Sequence, residues 1–461
     1  MNPKFLEFKE NLKEQTNEEK KSGKLIILSG ISGSGKSIIG DLLVNEHNYA
    51  YINKYVTRNF REEEIEAVKQ GKPIGIRPVV GKYNEADDKT KKQAFLNLRL
   101  PLSYINYDNY YGFSKEDIDN YLKNGRDAVI IVNDIALIHD LKNLYGENSF
   151  ACYVHRFNPK NKDIFMEIAK QRGDTSESAE KRYQKAIKDF DRYTNNISLY
   201  DYTILNTENG IQKLSQMLQN LNNMNTKKVQ QEKTIKQRST PKIYVFIGNP
   251  GSGKDKALET IRVQSFLHSI IMPKHTTRKR KENDGEEMIC PEDELFDMNS
   301  CDLTYDNYGN TYGINTQELD ERLKDGVSSS LIVSKPKAIR KLQTKYPDEL
   351  VTIFIHGLSK EEYMIQQKDY LDDKYVKKHL AEYEQADEFY YTDWLDFNHV
   401  IIDNGDSTDV KLQIDNIMKY YEEGRDWSIA KIDNYLKVAN SYAEKYKRDI
   451  ANEIPTKEEV L

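Results

Sequence analysis

Two glycine-rich stretches carry the residues best suited to chemistry. GISGSGKS (Gly30 to Ser37) satisfies the pattern G-x-x-x-x-G-K-[ST], following the apolar run LIILS and preceding the helix-compatible IIGDLLVNE. In that setting the glycines let main-chain N–H groups turn inward around phosphate oxygens, and the helix start adds the positive end of its dipole. Gly30, Ser32, Gly33, Ser34, Gly35, Lys36 and Ser37 are therefore expected to cradle a nucleotide. Lys36 would neutralise the β- and γ-phosphates of ATP, and the Ser37 hydroxyl would ligate Mg2+. The second stretch, GNPGSGKD, offers Gly248, Gly251, Ser252, Gly253 and Lys254 but puts Asp255 where the first has Ser37. A carboxylate can bind Mg2+, yet its charge also sits beside a triphosphate. A nucleotide site with turnover and a retained scaffold without it both stay open for the second loop.

The two lysines stand 218 residues apart, and further matches follow in the same order. YVTRNFR (Tyr55 to Arg61) answers to HTTRKRK (His275 to Lys281), and NYYGFS (Asn109 to Ser114) to NTYGIN (Asn310 to Asn315). Later apolar runs also pair: DAVIIV with SLIVS, FACYVH with VTIFIH, DYTILN with HVIID. Each is short, β-branched and without strict alternation, the pattern of strands buried on both faces of a parallel sheet. Strands alternating with helical patterns predict an α/β fold with right-handed crossovers. The order predicts an N-terminal helical extension over 1–23, a first domain over 24–221, a polar lysine-rich linker over 222–240, a second domain over 241–424 and a C-terminal helix over 425–461. The first domain carries an insertion at about 64–99, because Arg58 to Tyr111 spans 53 residues where Arg278 to Tyr312 spans 34.

The glycine-rich loop, the T-R-x-x-[RK] cluster after its helix and the downstream YG together resemble the guanylate kinase family of P-loop nucleoside monophosphate kinases, twice in tandem. The resemblance implies two P-loop domains, each a mostly parallel sheet flanked by helices, with a small acceptor-binding subdomain and a lid. It assigns Arg58, Arg61 and Tyr111 to the acceptor phosphate, matched by Arg278, Lys281 and Tyr312 in the second copy. Arginine suits that role because its planar fork of donors fits phosphate oxygens and stays charged. It also implies lid arginines that meet the transferring phosphoryl group, and Arg172 and Arg182 hold lid-like positions. The corresponding stretch of the second copy has only Lys368, Lys377 and Lys378, which with Asp255 marks that copy as the degenerate one. Base recognition departs from the family: Lys54 and Lys274 stand at the serine positions, Leu102 and Leu303 where an acid is expected, and guanine specificity does not carry over. Asn133 or Asp134 could serve Mg2+ water or an acceptor hydroxyl, or Asp134 could cap a helix.

The net charge of −6 gives no general attraction to nucleic acid, so an anionic ligand must be met by a local pocket. Three cysteines, Cys152, Cys290 and Cys301, are too few for a disulfide framework, and no run reaches the length of a membrane span. A cytoplasmic protein is expected, with a small nucleotide or sugar-phosphate acceptor as its partner. Ile429, Ile432, Tyr435, Leu436 and Ala439 lie near one face of the C-terminal helix, which could dock on a domain or receive a protein partner. The expected function is ATP- and Mg2+-dependent phosphotransfer in the first domain. The alternative is a nucleotide sensor or interaction scaffold with one or both domains inactive.

Overall fold

The computed structural model of the chain describes residues 22–71, 74–106, 108–171, 175–206, 210–223, 240–263, 269–282, 284–285, 287–307, 309–357, 360, 363–364, 373–405, 407–425 and 429–445. Most of the expected N-terminal extension and linker therefore lies outside the described residues. The contacts gather the chain into two compact units: Met1–Leu28 with Ser37–Phe150, and Ser29–Lys36 with Ala151–Leu461.

The first unit runs β1 (Leu25–Ser29), α1 (Lys36–His47), β2 (Ala50–Tyr51), β3 (Lys54–Val56), α2 (Glu62–Lys69), β4 (Ile76–Pro78), α3 (Asp88–Asn97), β5 (Leu102–Asn106), β6 (Asn109–Phe113), α4 (Lys115–Lys123), β7 (Ala128–Ile131) and α5 (Ile135–Tyr145). β7 pairs in parallel with β1 and with β2, Ala128 standing beside both Leu25 and Ala50. Leu25 to Leu28 are fully buried, as expected of a strand covered on both faces. A smaller sheet has the order β4-β3-β6-β5. The extra length at about 64–99 forms most of α2, with β4 and α3, around this small sheet.

The second unit continues with β8 (Ser149–His155), α6 (Lys162–Gln171), α7 (Ser176–Asn195), β9 (Tyr202–Leu205), α8 (Gly210–Asn222), β10 (Ile243–Gly248), α9 (Lys254–Val263), β11 (Ile270–Ile271), β12 (Lys274–Thr276), β13 (Met288–Ile289), β14 (Leu303–Asn307), β15 (Asn310–Ile314), α10 (Thr316–Lys324), β16 (Ser329–Ile332), α11 (Pro336–Lys345), β17 (Leu350–His356), α12 (Asp373–Asp393), β18 (His399–Ile402), α13 (Ser407–Glu422) and α14 (Ile429–Lys445). Five of these strands form a parallel sheet, β11-β16-β10-β17-β18, with β10 at its centre. A small sheet, β13-β12-β15-β14, repeats the order of the small sheet in the first unit. Even the caps match: Ser114 accepts from Asp117 N at 3.0 Å before α4, and Asn315 from Glu318 N at 3.1 Å before α10.

Helix α14 is held by its own chain. Tyr435 packs with Ile270 and Val327, and Leu436, Val438 and Tyr442 lie against that cluster. The Arg322 guanidinium stands 4.6 Å from the Tyr442 ring centre, and Lys445 Nζ donates to Glu318 Oε2 at 2.8 Å. Of the apolar face that the sequence offered, Tyr435 and Leu436 thus pack within the chain, and the side chains of Ile429 and Ala439 lie outside the described ones.

Candidate phosphate-binding sites

The first loop is built around glycine geometry. Gly30, Gly33 and Gly35 adopt φ of 145°, 94° and 93°, values that L side chains rarely reach. A Cβ on Gly30 would lie 2.4 Å from Val154 O, and one on Gly35 2.2 Å from Asn206 Nδ2. The Lys36 ammonium folds back over the loop, donating to Gly30 O at 2.7 Å, Ile31 O at 2.6 Å and Ser34 Oγ at 3.4 Å. Asn206 Nδ2 donates to Ser34 O at 2.8 Å and Arg156 to Gly33 O at 3.4 Å, so the ends of β8 and β9 brace the loop from behind. On α7 the Asp189 carboxyl is pushed up by burial, while Lys185, Arg192 and Lys36 pull it down. Ser37 is exposed in the first turn of α1.

On the small sheet of the first unit, Arg58 is clamped by an acid. Its terminal nitrogens donate to Glu64 Oε2 at 2.7 Å and Oε1 at 2.5 Å, and Glu64 Oε2 also accepts from Arg61 N at 2.8 Å. Burial raises the Glu64 carboxyl, but the bonds and charges of Arg58 and Arg61 outweigh it and leave the group below its ordinary range. Tyr111 hydrogen-bonds Arg58 and stacks on Tyr104, ring centres 5.1 Å apart, and burial pushes its hydroxyl up so that it stays protonated. Lys54 Nζ stands 5.8 Å from the Tyr111 ring centre.

The second glycine-rich loop and the small sheet that follows it show matching constructions. Lys254 Nζ donates to Gly248 O at 2.9 Å, Asn249 O at 2.5 Å and Ser252 Oγ at 3.4 Å. Gly251 and Gly253 have φ of 73° and 88°, and a Cβ on Gly253 would meet Asp403 Oδ2 at 2.4 Å. Arg278 is gripped by Asp284, at 2.5 and 2.6 Å, which also accepts from Lys281 N at 2.6 Å, while Arg278 Nε donates to Tyr312 Oη at 3.2 Å. Lys274 Nζ donates to Ile332 O at 2.9 Å and lies 5.7 Å from the Tyr312 ring centre.

The second loop opens on a cavity of about 300 Å³ lined by Gly251, Lys254, Asp255, Lys335, Tyr363 and Glu382. Its electrostatics differ from those of the first loop. Counted back from the matching Tyr193 and Tyr390, Lys185 of the first copy becomes Glu382, and Arg156 after β8 becomes Gly357 after β17. Ser37 is replaced by Asp255, but Asp189 becomes Ala386 by the same counting and Asp134, counted on from β7 and β16, becomes Lys335, so the second loop exchanges charges in both directions. Burial pushes Lys254 down to about 8, partly opposed by Asp255 and Glu382, and pushes Glu382 up to about 7, opposed by Lys254.

The structure thus brings Lys36 together with its loop, and gathers Arg58, just after β3, Arg61, at the N-cap of α2, and Tyr111, on β6, around Glu64 beside one small sheet. Arg172 and Lys368 lie outside the described residues, as does the side chain of Lys378. Arg182 is half-buried on α7 and Lys377 is exposed. Of the two roles open to Asp134 the structure shows the cap: its Oδ1 accepts from Leu137 N at 2.9 Å. The sequence reading missed Glu64, Asp284, Arg156, Asn206 and Glu382. A signal existed for the first two, an acid six residues after each clustered arginine. Among the described residues no helix is long and apolar enough to cross a membrane.

No protein-family model matches the chain. The guanylate kinase of Clostridium tetani is 30% identical over 184 residues, covering 40% of this chain and 78% of that protein. The guanylate kinase of Clostridium acetobutylicum is 28% identical over 200 residues, covering 43% and 86%. A solved guanylate kinase from Anaplasma phagocytophilum aligns at 20% identity and a TM-score of 0.29, covering 42% of this chain and 94% of that one.

Proposed function

Because the chain belongs to the guanylate kinase family, we propose that it transfers the γ-phosphoryl group of ATP to a nucleoside monophosphate, with the first loop as donor site. The observation that carries this reading is the Lys36 cradle, whose glycine backbone and folded-back ammonium are preset for a polyanion. Loop amides and Lys36 hold the β- and γ-phosphates, and Arg58, Arg61 and Tyr111 hold the acceptor phosphate. Arg182 and Arg172 serve the lid, stabilising charge on the phosphoryl oxygens as transfer proceeds. The Ser37 hydroxyl is the residue that would hold Mg2+, which when bound neutralises phosphate charge. Catalysis is then positioning and charge neutralisation without a covalent intermediate.

The matching small sheets, the matching caps and the twin Arg–acid clamps support a duplication, with copies over 24–221 and 241–424. Asp255, Gly357 and Glu382 favour a second copy that binds phosphate without turnover. The acceptor need not be guanylate, since a lysine replaces the serine of the family on both small sheets, and a sugar phosphate is the second acceptor class to try. The test is ADP release from ATP and Mg2+ with a panel of monophosphates. Release should depend on one acceptor, vanish in Lys36→Ala and weaken through acceptor KM in Arg58→Ala. Acceptor-dependent release that survives Lys36→Ala would overturn the assignment.

A further inference from the structure

We propose that the second loop is a regulatory phosphate site, and that its filling by a nucleotide is transmitted to the first loop through the reciprocal contact between the two copies. The proposal rests on the reading that both loops bind phosphate. The contact lies wholly within the second unit. Tyr193 Oη donates to Val400 O at 2.7 Å, and Tyr390 Oη donates to Thr203 O at 2.6 Å. Tyr193 and Tyr390 are equivalent positions of α7 and α12, and Thr203 and Val400 equivalent positions of β9 and β18, so each copy gives the bond it receives. This is the self-complementary pattern of a two-fold dimer interface, made inside one chain. The same relation holds at its centre, where the buried rings of His155 and His356, at the ends of β8 and β17, meet edge to face with centres 5.4 Å apart.

Those strand ends are also what brace the two loops. On the first side Asn206 N donates to His155 O at 2.7 Å and its side chain to Ser34 O, while Arg156, next to His155, donates to Gly33 O. On the second side Asp403 N donates to His356 O at 2.8 Å, the Asp403 carboxylate closes over Gly253, and Lys256 donates to it at 3.1 Å. The two braces are bonded to each other: Asn158, two residues after Arg156, donates through Nδ2 to the carbonyl of Asn404, the neighbour of Asp403, at 2.9 Å. Lys160 pairs with Asp409 at 2.5 Å beside it, and Asp409 accepts from Asn404 Nδ2 at 2.5 Å. A route from Gly33 to Gly253 therefore runs through Arg156, Asn158, Asn404 and Asp403. Close-packed walls of this kind do not deform continuously, so a phosphate that shifts one loop against its brace biases the other.

The charge of the second cradle fits a site that holds rather than transfers. Lys254, Lys335 and the loop amides can grip a phosphate, while Glu382 and Asp255 stand where the first loop has Lys185 and Ser37, so charge building on a transferring phosphoryl group meets two carboxylates beside the two lysines.

Calorimetric titration with a non-hydrolysable ATP analogue and Mg2+ tests the proposal on the full chain, as wild type, Lys36→Ala, Lys254→Ala and Asn158→Asp. The aspartate keeps the bond that Asn158 Oδ1 accepts from Lys160 N at 2.9 Å, removes the donor to Asn404 and sets a carboxylate oxygen against that carbonyl. Asn158→Ala serves as a second variant. The wild type should bind two analogues with a coupling of about fivefold or more between them. Asn158→Asp should bind two independently, with the affinities seen singly in Lys254→Ala and Lys36→Ala. The proposal is overturned if the wild-type isotherm is the sum of the two single-site isotherms, if Lys254→Ala leaves the stoichiometry unchanged, or if coupling persists in both Asn158 variants. Acceptor-dependent ADP release by Lys254→Ala judges the first-site reading separately.

Discussion

Replacing Glu64 by glutamine is the most informative single perturbation of the proposed acceptor site. Glu64 makes two bonds to Arg58 and one to Arg61 N, with the two side chains 14% and 20% exposed. Exposed pairs are worth about 0–1 kcal/mol, and breaking a buried pair costs about 3–5 kcal/mol. The intermediate exposure places Glu64→Gln at about 2 kcal/mol. At about 2–4 °C per kcal/mol for a domain of this size, the melting temperature should drop by about 4–8 °C. The loss is itself pH-dependent. The folded state holds the Glu64 carboxyl below its ordinary range, so its contribution is fully present above that range and disappears as pH falls through the lowered value. Wild type and variant should therefore converge in acid. In turnover, an Arg58 no longer fixed by its acid grips the acceptor phosphate less well, and acceptor KM should rise by about tenfold, equivalent to about 1.4 kcal/mol, while the KM for ATP stays constant. Initial rates of ADP release across both substrates give the two constants. A rise in the KM for ATP with that for acceptor unchanged would refute the placement of Arg58 in the acceptor site, and an unchanged melting temperature would refute the clamp.

Other outcomes follow from particular contacts. In a Lys254→Ala background Gly35→Ala should abolish the remaining ATP binding seen by calorimetry, because its Cβ would lie 2.2 Å from Asn206 Nδ2 at φ 93°. Gly71→Ala, at φ 73° but with no atom within 4 Å, should leave turnover unchanged. In a Lys36→Ala background, phosphate affinity of the second cradle should weaken from pH 6 to pH 9, as Glu382 ionises near 7 and Lys254 loses its proton near 8; a flat profile by calorimetry would contradict those assignments. Glu318→Gln should cost about 3 kcal/mol or more in denaturant unfolding, since Arg322, 1% exposed, loses the carboxylate it donates to at 2.7 and 3.1 Å, and Lys445 on α14 loses the same partner.

What the chain discloses before folding is mostly local. The loops are readable because the glycine positions, the lysine and the preceding buried run all fall within a dozen residues, and the structure places each strand where an apolar run ends in a loop. The contents of the 64–99 stretch were not readable. Asp87 caps α3 by accepting from Thr90 N at 2.9 Å, but α3 is polar and has no clear apolar stripe. Arg156 and Asn206 were missed because their partners, Gly33 and Ser34, lie 123 and 172 residues away, and no period or spacing marks such a pair. Glu382 was hidden for the same reason: only the matching of α7 with α12 shows that it replaces a lysine. The C-terminal helix displayed its apolar stripe plainly, but a stripe does not say whether it faces the same chain or another.

On the proposed function the first loop grips a polyphosphate through its amides and Lys36. Thermal denaturation of Lys254→Ala with and without millimolar ATP and Mg2+ isolates that loop from the second. A ligand at about a hundred times its Kd adds about 2.7 kcal/mol, so the melting temperature should rise by several degrees, and the rise should vanish in the Lys36→Ala, Lys254→Ala double variant. A Lys254→Ala protein that melts at the same temperature with and without ATP would contradict that role of the first loop.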